Sequence, residues 1–124
     1  MLPAVFPVIA TAEVKAIVGT TPARIYDFDS APQNVIKPYI TFTNVSNAPY
    51  EQISGAPRGD FDTVQIDMYA GPDDSEKTQV RALALAVRKA LDDAGIANRL
   101  IIQTREPDTK LFRISVEADF ITNR

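Results

Sequence analysis

Apolar and polar residues alternate most cleanly over residues 62–70. There Val64, Ile66, Met68 and Ala70 point one way and Thr63, Gln65, Asp67 and Tyr69 the other, the mark of a half-buried strand. The same two-residue period returns over 110–121, with Phe112, Ile114, Val116, Ala118 and Phe120 inside and Arg113, Ser115, Glu117 and Asp119 outside. Residues 38–46 are β-branched and aromatic and predict a strand, 99–105 predict another, and 24–28 predict a short one. A helical period appears over 75–94, where Val80, Leu83, Ala84, Val87, Leu91 and Ala94 form one stripe, with N-caps available in 71–75 and Gly95 as the stop. The N-terminus predicts two short helical segments. The first covers 2–10, with a break or kink set by Pro7, and the second is capped by Thr11 and carries Val14, Ile17 and Val18 before Gly19. These elements predict an α+β domain. A mainly antiparallel sheet of about four to five strands, wet on one face, is covered on the other by the long helix and the N-terminal helices. Strand order is not readable. A parallel pairing of the 62–70 strand with the strand after the long helix stays open, because the intervening crossover is long enough.

At 124 residues the chain is one domain, 1–124, large enough to bury a core without disulfides or structural metals. It has no Cys and no His, which removes thiolate and imidazole zinc sites, Cys nucleophiles and every mechanism with a histidine base. Thirteen basic against sixteen acidic side chains leave a formal charge of −3, the wrong sign for a protein whose affinity comes from neutralising phosphates. The apolar stretch 2–10 is far shorter than the roughly 20 residues of a membrane span, is interrupted by Pro3 and Pro7, and has no basic leader. A cytoplasmic site of synthesis and no membrane partner are expected.

Candidate chemistry is sparse. Two Asp-Phe-Asp triplets place Asp27, Asp29, Asp60 and Asp62 where a small Mg²⁺-dependent hydrolase could use them, but Asp beside a turn is ordinary turn chemistry. Asp67, Glu117 and Asp119 alternate outward on their strands, as on a solvated sheet face. Lys77, Arg81 and Arg88 line one edge of the long helix and could meet phosphates, although neighbouring acids favour a plain solvated edge. The side of that helix away from the core stripe carries Ala82, Leu85 and Ala86, and a helix apolar on two sides wants two partners. The loop 52–60 holds no phosphate-cradling motif, and its Arg58-Gly59-Asp60 tripeptide is a chance match. Its length suits a contact element. No cofactor is expected.

Several segments taken in order resemble the tail-completion, or tail terminator, proteins of long-tailed bacteriophages and prophages. They are Met1-Leu2-Pro3-Ala4-Val5-Phe6, Val18-Gly19 with Arg24-Ile25-Tyr26, Pro38-Tyr39-Ile40-Thr41-Phe42 and Val64-Gln65-Ile66-Asp67-Met68-Tyr69. The helix over 80–91 and the ending from Thr109 to Phe120 complete the set. The resemblance implies a non-enzymatic virion protein at the head-proximal end of the tail, assembled in the host cytoplasm. It implies a homo-oligomeric ring, usually a hexamer, that stops tail-tube polymerisation and joins the tube protein to a head connector or adaptor. On this reading the Ala82, Leu85, Ala86 side is a subunit interface, and Gln52, Ile53, Ser54, Pro57, Arg58 and Asp60 contact tube or connector. Asp67, Glu117 and Asp119 face a channel through which DNA passes without specific binding. A neighbouring adaptor role in the same stack is the nearest alternative.

Overall fold

The computed structural model describes residues 4–20, 22–27, 31, 35–50 and 59–123, with the backbone alone at 46–50, 59–61 and 122–123. Helices α1 (Val5–Ile9) and α2 (Ala12–Val18) open the chain, followed by strands β1 (Ile25–Asp27), β2 (Tyr39–Tyr50) and β3 (Gly59–Ala70). A 3₁₀ turn over Asp74–Glu76 leads into α3 (Lys77–Asp93), and β4 (Asn98–Arg105) and β5 (Phe112–Asn123) finish it. All three helices lie on one face of a single five-stranded sheet ordered β1-β2-β3-β5-β4. The fold is α+β, as the two periodicities predict.

Every pairing is antiparallel except β1 with β2, which is parallel. The pairing left open in the sequence does not form: β5 lies between β3 and β4, so the strand after α3 becomes the sheet's far edge. β3 and β5 pair along their whole lengths, from Gly59 opposite Asn123 to Ala70 opposite Phe112. β1 covers β2 only from Ile40 to Phe42, so the rest of the β2–β3 hairpin runs on as an arm.

The core is the predicted one in substance. Ile40, Val64, Ile66, Met68, Ile114, Val116 and Ala118 from the sheet meet Val80, Leu83, Val87 and Leu91 of α3 and Val5, Ile9, Val14 and Val18 of α1 and α2. Ala94 leaves the predicted stripe because it is the exposed C-cap, and Ala90 takes its place inside. The Thr11 side chain caps α2 by accepting from the Val14 amide at 3.4 Å. Pro7 does not break the N-terminal segment. It sits in the first turn of α1, where its missing N–H has no helical partner to lose, and the break falls at Ala10–Thr11 instead.

Gly71 closes β3 at φ +112°, and a Cβ there would sit 3.0 Å from the Phe112 ring, so this corner needs glycine for both backbone and space.

Candidate functional site

The sheet face opposite the helices carries most of the charged chemistry predicted from sequence, and Asp67, Glu117 and Asp119 do share it. They are not bare. Asp67 lies at the centre, 7% exposed, and its Oδ1 accepts from Arg113 Nε at 3.2 Å, Arg113 Nη2 at 3.1 Å, Gln65 Nε2 at 3.1 Å and the Ser115 hydroxyl. Pairing sets this cluster: Asp67 is opposite both Thr41 of β2 and Ser115 of β5, and both neighbours are fully buried. The Thr41 hydroxyl has no hydrogen-bond partner among the described residues. Tyr39 and Tyr69 stack beside the cluster at 4.8 Å between ring centres, and Tyr26 meets Tyr39 edge-on at 6.4 Å. This half of the face is therefore a small second core rather than a wet surface. Aromatic bodies and long side chains exclude water from the polar groups between them. Burial works against the Arg113 charge, but the Asp67 charge and hydrogen bonds outweigh it and the guanidinium's pKa is raised.

The other half is open and ion-paired. Arg99 of β4 reaches across β5, donating to Glu117 Oε1 at 2.7 Å and to Asp119 Oδ2 at 3.0 Å, while Thr63 Oγ1 donates to Asp119 at 3.4 Å. Hydrogen bonds from Arg99 to Asp119 and then Glu117 raise the pKa of Arg99. Arg113 was legible as an outward residue of its strand. Arg99 was not, because its place opposite Glu117 depends on β4 lying next to β5.

The triplet carboxylates do not gather. Asp27 is on β1, Asp62 is on β3 with β2 between them, and the Asp29 position and the Asp60 side chain lie outside the described residues. Asp62 faces the helix side opposite Phe120, fully buried, and accepts from Asn44 Nδ2 at 3.0 Å. Among the described residues no three potential ligand side chains come together as a metal site, and no helix is long and apolar enough to cross a membrane.

On α3, Leu85 is 72% exposed, Ala82 is exposed and Ala86 is half-buried at the margin of the core. Arg81 lines a cleft with Gln103 and Thr104, and Arg88 Nε donates to Asn98 Oδ1 at 2.9 Å, so α3 runs antiparallel to β4. Leu85 falls midway between these arginines along α3, and the strand between their contacts carries the exposed Leu100, Ile101 and Ile102. The signal missed in the sequence was this run. The sequence predicts only a strand over 99–105, and the structure makes it an edge strand with a register shift between Leu100 and Ile102. Residues 52–58 of the predicted contact loop lie outside the described residues, and Gly59 and Asp60 begin β3.

The fold is shared with a chain from a structure titled "Virion of native gene transfer agent (GTA) particle". The two align with a TM-score of 0.71 at 20% identity, covering 98% of this chain and 92% of that one. No curated protein matches the chain. Over residues 7–123 the sequence fits the family described as tail completion protein gp17. With nearly the whole domain matched, and its elements in one continuous sheet, the chain belongs to the phage tail completion protein gp17 family, structural proteins of the virion tail.

Proposed function

We propose that the protein assembles into a ring, sixfold as in the resemblance above, that caps the finished tail tube, ends its polymerisation and offers a surface to the head connector. Membership of the tail-completion family supports this reading, and so does the resemblance of the fold to a virion chain. The carrying observation is the exposed apolar side of α3 at Ala82 and Leu85, with Leu100 also exposed on the strand β4 that α3 packs against. A closed ring needs two unlike complementary patches on each subunit. The opposite side of the sheet supplies a candidate for the second. Beyond Phe42 the outer edge of β2 has no paired strand among the described residues, and Val45 is exposed on that part of the strand.

The sheet face bearing Asp67, Glu117 and Asp119 is assigned to the channel. With Arg113 and Arg99 paired to these carboxylates, it presents a nearly neutral, ion-paired surface. Such a surface gives DNA few free cations to grip, which suits passage without adhesion. The tip of the β2–β3 hairpin, with Gln52, Ile53, Ser54, Pro57, Arg58 and Asp60, is assigned to the tube or connector. No catalytic role is assigned to any residue.

The test is assembly. Replacing Leu85 with Asp should leave the monomer folded and abolish rings, while alanine at the hairpin-tip residues should spare rings and weaken joining of tails to heads. Binding to heads alone, with no effect on tubes, would favour the adaptor reading instead.

A further inference from the structure

Between the start of α3 and the end of β4 lies a cleft of about 140 Å³ floored by Val80, Phe112 and Ile114 and rimmed by Lys77, Arg81 and Arg105. We infer that this cleft is a carboxylate site and that it docks an acidic, extended segment of a partner protein along the outer edge of β4. The cleft adjoins the Leu85 and Leu100 surface assigned to the ring, but the inference does not require the ring and is scored on the free chain.

The cations of the rim are held but hardly neutralised. Arg105 donates from Nε to Lys110 O at 3.0 Å and from Nη2 to Pro72 O at 3.2 Å, both neutral carbonyls, and among the described residues it forms no ion pair. Lys77 has, among the described residues, a single loose ion pair, with exposed Asp74 at 3.9 Å. Arg81 forms no ion pair among the described residues. Lys77 and Arg105 also lie against the Phe112 ring, at 5.6 and 5.0 Å from its centre, which fixes their positions over an apolar floor. In a chain of net charge −3, three cations converging on one cleft are a local reversal of sign. Charge complementarity therefore selects an anionic occupant.

A peptide carboxylate fits better than a nucleic acid. The cleft admits about one side chain, its floor is apolar, and it opens beside an edge strand rather than along a basic track. That strand, β4, has no neighbour on its outer side among the described residues, and Ile101 and Ile102 are exposed on it. An unpaired edge with apolar side chains is a template for an added strand: main-chain hydrogen bonds give affinity and the cleft gives specificity. The occupant is then a strand of alternating apolar and acidic residues whose carboxylate reaches Arg81 and Arg105.

The experiment is a backbone NMR titration of the free, labelled protein. The probe is a capped hexapeptide of alternating valine and aspartate, set against the same peptide with lysine for aspartate and against a short DNA duplex. The expected result is perturbation of Ile102 to Arg105, Arg81 and Phe112 by the acidic peptide alone. Binding should weaken by roughly tenfold on replacing Arg81 with Glu, as loss of one close charge pair would give. Arg81 is exposed, so R81E keeps the fold intact, and Arg105→Gln provides an independent second variant. No perturbation at millimolar peptide, equal response to the lysine peptide, or response to DNA in its place would overturn the assignment. So would β4 amides already covered by a second copy of the chain.

Discussion

Asp67 is the most connected polar side chain on the non-helical sheet face, with Arg113, Ser115 and Gln65 all donating to one carboxylate that is 7% exposed. Removing its charge leaves a mostly buried guanidinium without a counter-ion, a costlier error than deleting both partners. Asp67→Asn should therefore lower stability by about 2–3 kcal/mol in urea unfolding. Arg99→Ala, on the exposed side of the same face, should cost distinctly less, and a reversed ranking would refute the division of the face into a dry and a wet half. Gly71→Ala should destabilise by about 2 kcal/mol, since φ +112° and the Phe112 ring both oppose a Cβ. Alternation alone put Asp67, Glu117 and Asp119 on one side of the sheet. It could not show that Asp67 is buried, because that depends on Thr41, Tyr39 and Tyr69 arriving from β2 and within β3 at the observed register.

The long helix shows how one element serves two surfaces. Leu83 is fully buried and Leu85, two residues on, is 72% exposed, so the same substitution has opposite readouts at the two positions. Leu83→Ala should cost about 3 kcal/mol in the monomer. Leu85→Ala should change monomer stability by less than about 0.5 kcal/mol and show its effect in assembly. The helices and strands were legible because their periods are long and regular. The order of the strands was not, since hydrophobic alternation fixes which way a side chain points and says nothing about which strand lies beside it. For that reason β4 read as one more sheet strand, whereas its run of Leu100, Ile101 and Ile102 lies on an open edge. Pro7 misled for a related reason. Proline breaks a helix interior, but the first turn has no helical acceptor for its N–H to miss.

At the scale of the whole molecule the absences in composition carry more than any motif. Without Cys or His the chain has few routes to catalysis, and exposed apolar residues on the long helix and on the edge strand β4 offer surfaces where neighbours could meet. The family match gives this architecture its setting in the phage tail. The ring proposed to cap the tube rests on reading those surfaces together. The most direct test adds the purified protein to polymerising tubes of its cognate tail-tube protein and follows tube length and tube ends by negative-stain electron microscopy, with light scattering of the free protein across a concentration series. The account predicts rings seated at tube ends and elongation arrested in proportion to the protein added. A protein that stays monomeric at every concentration, leaves tube ends bare and lets elongation run would contradict it.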